Sequence, residues 1–339
     1  MYPVSRSLYL APALVAIALL HLIDVALATE PRAKADPSQL DEVTVSARKF
    51  DRTTLEKVIV PRFVRSHAAT SPVIAQLGRW HAPVCPQVTG LRADYAGLVA
   101  QRIGQITAKV GAPTPASGKK CAANVEVVFS ATPQSLLDHI AKDYRWLLGY
   151  YDASQTKEVI TVDRPIKAWY VTGTRAMNPI QKPVGGLNGG QSGDPTNPSA
   201  IPFNDGAQID APGGQRPGAG RLGVGGIAGS HLTEGLTSEL MHALIVVDTR
   251  TVSRYSLAEI SDYVAMLALT RLASLDTCSD LPSITELLSK QCSEHATAHS
   301  MTAADFAFLT ALYSSDLEPH LNVEQGEIRD RMLKVIEAN

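Results

Sequence analysis

Charge is in short supply in this chain. Charged residues make up 19% of it and almost cancel, with 31 Lys and Arg against 33 Asp and Glu for a formal net charge of -2. So weak a field excludes partners recruited by bulk electrostatics, nucleic acid and anionic membranes first among them. Several motifs are missing too. Without a C-x-x-C pair there is no thioredoxin-like redox centre, and without G-x-S-x-G there is no nucleophile elbow. Glycines crowd Gly223-Val224-Gly225-Gly226-Ile227-Ala228-Gly229, but no strand precedes them and no Gly-Lys-Ser/Thr follows, so they do not form a phosphate cradle.

What is present points first to a compartment. Met1–Ala28 reads as a secretory signal, with Arg6 as the positive start, a mostly apolar run from Leu8 to Ile23, and an A-x-A cleavage site at Ala26-Leu27-Ala28. Pro12, His21 and Asp24 spoil it as a lasting membrane anchor, so no stable span is expected after cleavage. Four cysteines follow, and an even number in an exported chain favours two disulfides. Of three connectivities, Cys85–Cys121 and Cys278–Cys292 each close a local unit and are the expected pairs. The protein is therefore expected in the periplasm or the medium.

The 339 residues suffice for a sizeable core. Residues 29–70 read as a flexible N-terminal segment, within which Asp41-Glu42-Val43-Thr44-Val45-Ser46-Ala47 is short and extended enough to add a strand to a partner, the plainer reading being an ordinary strand or loop of this protein. A single domain is expected over residues 71–330. Pro83–Val88 reads as an edge strand because prolines exclude a central one. Tyr95, Leu98, Val99, Ile103, Ile106 and Val110 mark a helix stopped by Gly111 and Pro113. Asn124–Phe129 and Ile166–Thr172 read as strands, with a helix between them opened by Thr132-Pro133. Residues 175–235 are crowded with Gly and Pro and poor in large apolar side chains, which predicts a long irregular insertion.

Ala243–Asp248 is a continuous apolar run suited to a doubly covered strand. The longest helical pattern follows at Glu259–Leu275, where Ile260, Tyr263, Val264, Leu267, Leu269, Leu272 and Leu275 line one face and Ala265, Met266 and Ala268 extend it. Ser256 and Glu259 make a capping box. The mixture of strands and helices gives an α+β class, a mixed sheet packed by helices.

The order strand, buried helix, Ser283-Ile284 loop, Thr302-x-x-Asp305, Leu309-x-x-Leu312-Tyr313 resembles the C-terminal half of zincin-like secreted bacterial domains of uncharacterised function. The resemblance places that family's H-E-L-x-[HQ]-x-L-G-L motif on Ser261–Leu269, SDYVAMLAL here. It implies a zincin-like, metallopeptidase-type fold from which the chemistry has gone. Ser261 and Ala265 cannot replace imidazole ligands, and Asp262 is left as an isolated acid.

The remaining candidates are local. His295 and His299 stand four apart near Cys292, and Glu239 and His242 stand three apart downstream of His231. All five are candidate metal ligands. Glu259 and Asp262 are a candidate acid/base pair; their plainer role is to complement the helix dipole while facing solvent. No cofactor is expected. The leading expectation is a non-catalytic, pseudo-peptidase-like protein that binds another envelope protein or peptide or serves as structure. The alternative is a hydrolase using these histidines or carboxylates.

Overall fold

A computed structural model describes residues 50–71, 74–149, 156–176, 199–202, 208–211, 236–275, 277–289, 291–292, 298–316 and 320–338. The signal segment, the Asp41–Ala47 box, His231, His295 and most of the 175–235 stretch lie outside them. In chain order come α1 (Arg52–Thr54), a π-helical turn (Leu55–Ile59), α2 (Val60–His67), β1 (Arg79–Trp80), β2 (Pro86–Thr89), α3 (Ala93–Lys109), β3 (Val125–Ser130) and α4 (Pro133–Asp143). A 3-10 turn (Arg145–Leu148), α5 (Thr156–Ile160), β4 (Ile166–Ala176), β5 (Ser199–Pro202) and β6 (Gln208–Ala211) follow. The last are β7 (Leu236–Asp248), α6 (Thr249–Val252), α7 (Leu257–Leu269), a 3-10 turn (Ile284–Glu286), α8 (Ala303–Ser314) and α9 (Leu321–Ala338).

The architecture is mixed α/β, a largely parallel sheet packed by helices, and β7 is its axis. β4 runs antiparallel along one edge of β7, from Ile166↔Val247 to Ala176↔Leu236. The other edge is shared end to end by two parallel strands, β1 at Glu239 and Leu240 and β3 from Ala243 to Asp248. β2 lies outside β3, also parallel, at the expected edge. Opposite the step from Val171 to Thr172 the register skips Met241, a bulge that leaves this side chain half-exposed. β5 and β6 form a separate antiparallel ribbon inside the stretch expected to be irregular.

Both faces of the sheet are covered, which is why Ala243–Val247 is apolar without alternation. On one face Val127, Phe129, Ala243, Ile245 and Val247 join α2, α3, α7, α8 and α9 in the main core. On the other, Val128, Trp169, Leu244 and Val246 pack on Leu136, Leu137 and Ile140 of α4 and on Leu147 and Leu148. Residues 52–67, assigned by sequence to the flexible segment, contribute Ile59, Val60, Phe63 and Val64 to this core. Their three- and four-residue spacing is interrupted by Arg62 and Pro61, and the charges of residues 51–57 hide it further. On α3 the buried face is Val99, Ile103, Ile106 and Thr107; Tyr95 and Leu98 are exposed, with Arg92 lying over the Tyr95 ring. Thr132 sits at the N-cap of α4 but makes no side-chain capping bond.

The central helix is shorter than the apolar pattern suggests. α7 begins at the expected Ser256–Glu259 capping box but stops at Leu269, where Thr270 turns extended. Three aromatic side chains explain the stop. The last four carbonyls of a helix lack intrahelical partners, and here each is satisfied. Met266 O accepts from Thr270 N–H, Leu267 O from Tyr170 Oη at 2.8 Å, Ala268 O from Trp80 Nε1 at 2.7 Å and Leu269 O from Tyr313 Oη at 2.6 Å. Leu272 and Leu275 continue the pattern as half-buried residues of the loop that follows, which Ala273 and Ser274 tie to α2 by donating backbone bonds to Ser66 O. Every residue from Ile260 to Leu269 is buried, as its apolar circumference requires.

Candidate functional site

The start of α7 gathers candidates that lie far apart in sequence. Glu259 closes the capping box, its Oε2 accepting from Ser256 N–H at 2.6 Å, while its other carboxylate oxygen pairs with His299 Nδ1. Burial raises the Glu259 carboxyl, but the bonds from His299 and Ser256 outweigh it and leave the pKa below its ordinary value. The His299 ring stays largely exposed, so this is an imidazole held by a carboxylate at the protein surface. It lies in a loop, and His295 falls outside the described residues.

One turn further on, Asp262 is 3% exposed and fully engaged. Its Oδ1 accepts from Arg102 Nε at 2.5 Å, and its Oδ2 from Arg102 Nη2 at 3.0 Å and from Met301 N–H at 2.8 Å. It neither faces solvent nor stands isolated, as sequence reasoning had it. A buried carboxylate persists as an anion only when paired, and the pairing residue, Arg102 on α3, has no signal in the α7 sequence. Beside it, Ser261 Oγ donates to Leu257 O at 2.6 Å, and Ala265 is sealed in the core. The carboxylate therefore acts as a clamp joining α3, α7 and the loop before α8.

Glu239 and His242 do not share a helix face, because both belong to β7. The bulge at Met241 between them breaks the alternation. His242 is buried, its Nε2 3.3 Å from Glu126 Oε1 and its ring edge-on to Trp146. Glu239 is half-buried; burial raises its carboxyl pKa against the opposing pull of Arg175. His81 is shifted down by burial, then by Arg175 and Arg79. Among the described residues no group of three or more His, Cys, Asp or Glu side chains is placed to hold a metal ion.

Two buried polar networks went unread in sequence. His67 stacks on Phe63, its Nδ1 2.9 Å from Phe63 O and its Nε2 3.2 Å from Ser283 Oγ. Ser283 Oγ donates to Asp305 Oδ1 at 2.6 Å, and Asp305 Oδ2 accepts from Ile284 N–H and Thr302 N–H. Serine sits between the imidazole and the acid here, so this is not the order in which histidine takes a serine proton, and all three are buried. Burial holds the His67 pKa down, to about 4. The Ser283-Ile284 and Thr302-x-x-Asp305 signatures are the visible half of this knot. The second network pairs Arg79 with Glu324, with Ser315 O and Leu77 N–H as further partners. It ties β1 to α8 and α9. Cys85 is paired with Cys121 and Cys278 with Cys292, both as expected.

Comparison with protein-family models, with curated proteins and with solved structures gives no match for this chain. The functional reading therefore rests on these side chains.

Proposed function

We propose that this protein is an exported, disulfide-linked α/β protein with a zincin-like plan, in which the helix of the metallopeptidase type has become a structural core and the molecule serves as a non-catalytic binding or structural component of the cell envelope. The observation that carries the reading is the commitment of Asp262. The carboxylate at the position of the catalytic acid is buried and bonded to Arg102 and Met301 N–H. A general base needs a free lone pair near solvent and substrate, and those of Asp262 are directed at protein donors. Ser261 and Ala265, at the ligand positions, face backbone and core.

Export is supported by the two cysteine pairs, which persist in oxidising compartments, and by the signal-like N-terminus. Among the described residues no helix is long and apolar enough to cross a membrane. The test is to recover the protein from the periplasm and the medium without chelators, equilibrate it with zinc, and measure metal content and peptide hydrolysis. We expect no stoichiometric zinc and no hydrolysis; bound zinc together with peptide cleavage overturns the reading. A hydrolase that uses the exposed His299, oriented by Glu259, is the second reading. Peptide or ester hydrolysis that His299→Ala abolishes would establish it.

A further inference from the structure

A methionine thioether can take up one oxygen atom and give it back. The chain has six methionines, of which Met241, Met266, Met301 and Met332 lie among the described residues. Three of these four are closed off. Met266 and Met332 are 0% exposed and Met301 is 6% exposed, all within the main core. Met241, by contrast, is 50% exposed. An oxidant has to reach the sulfur, so reaction at the three core methionines requires a local opening of the fold and reaction at Met241 requires none.

The bulge in β7 puts Met241 where it is. Pairing between β4 and β7 passes from Val171↔His242 to Thr172↔Leu240, so Met241 is the extra residue with no partner across the ladder. Its sulfur rests over Gly173 of β4. A Cβ at Gly173 would stand 2.6 Å from Met241 Sδ and 3.3 Å from its Cγ, so the glycine leaves a seat for the thioether. Glu239 Cγ would lie 3.8 Å from the same point, which sets a half-buried acidic side chain beside that seat. The thioether thus has a fixed rest on the sheet and a side open to solvent.

We propose that Met241 is a reversible oxidation site for small two-electron oxidants, peroxides or hypohalous acids. With hydrogen peroxide, a sulfur lone pair attacks one oxygen, the S–O bond forms as the O–O bond breaks, and the departing oxygen leaves as water once it has taken the proton of the transferred one. Sulfur gives up two electrons and the peroxide gains them. A dithiol reverses the change, two thiols closing to a disulfide while the sulfoxide oxygen leaves as water. Because Met241 stands outside the ladder, the added oxygen breaks no pairing between β4 and β7, and the fold survives the cycle. The site shares no residue with the Asp262 clamp and does not rest on the proposed function.

Exposure of the whole mature protein to hydrogen peroxide, with peptide mapping by mass spectrometry over time, tests it. Met241 should gain one oxygen at least about ten-fold faster than Met266, Met301 and Met332, with the near-ultraviolet circular dichroism unchanged. In urea the four rates should converge. Met241→Leu should remove the early oxygen uptake from this set, and the two epimer-specific methionine sulfoxide reductases with a dithiol donor should restore the parent mass. A rate ratio below about ten in the folded protein, a ratio that persists in urea, or a Met241 sulfoxide that the reductases leave in place overturns the proposal.

Discussion

Replacing Asp262 by Asn separates its structural role from a catalytic one. The substitution removes the negative charge, keeps the shape, and turns an amide N–H₂ towards a guanidinium that has only donors. Removing one partner from a buried pair costs about 3–5 kcal/mol. The Arg102 side chain is 22% exposed, so water can solvate part of the freed charge, and about 3 kcal/mol, the low end of that range, is expected. For a unit of this size that corresponds to a fall in Tm of roughly 6–12 °C. Urea unfolding measures the free-energy loss and thermal melting the fall in Tm, both followed by circular dichroism on the oxidised protein. Asp262→Leu combined with Arg102→Met should recover most of the loss, because an apolar pair of similar volume is often as stable as the ion pair it replaces. If Asp262→Asn melts within about 1 °C of the parent and instead abolishes a hydrolytic activity, the clamp argument is wrong and Asp262 is a working acid.

Tyr313→Phe leaves Leu269 O without its donor and should cost about 1–3 kcal/mol in the same urea assay. His67 gives a pH signature. Its folded pKa of about 4 lies below the ordinary 6.5, so the unfolded chain takes up a proton first as pH falls. Its stabilising contribution is complete above pH 6.5 and is lost between 6.5 and 4, amounting to about 3 kcal/mol. Asp305 and Glu324, both raised by burial, act in the opposite sense. The difference between the parent and His67→Leu across pH 4–7 isolates the histidine, and parallel curves would refute the assignment. Replacing both Cys278 and Cys292 by Ser opens a loop with a sequence separation of 14 and should lower stability by about 3 kcal/mol in the chain-entropy estimate. Peptide mapping of the parent under non-reducing conditions should recover both pairs.

Features encoded locally were legible in the sequence. The Ser256–Glu259 capping box, the prolines confining β2 to an edge, and the doubly apolar run of β7 each depend on residues within a few positions of one another. Features encoded by distant partners were not. α7 ends where Trp80, Tyr170 and Tyr313 reach its carbonyls, and these three come from separate segments. Asp262 took its role from Arg102, 160 positions away. Glu259 and His299 were both singled out, but for different sites, and only the fold brings them together. Glu239–His242 failed for a local reason. An interval of three suits a helix, yet the residues leading into an apolar β run already belonged to the strand, and a bulge disguised its alternation.

The dependence of the sheet on β7 governs how the chain comes together during synthesis. Among the described residues, β1 and β4 pair only with β7, and β3 has otherwise only β2 as a neighbour. Until residue 248 has emerged, the growing polypeptide holds two two-stranded pairs, β2 with β3 and the separate β5–β6 ribbon, while β1 and β4 have no strand to join, and such assemblies are too small to persist in water. Folding must therefore wait for the final third of the chain and then proceed through contacts between distant segments, which is slow. That delay leaves the nascent polypeptide without a finished sheet until its last pairing strand has emerged.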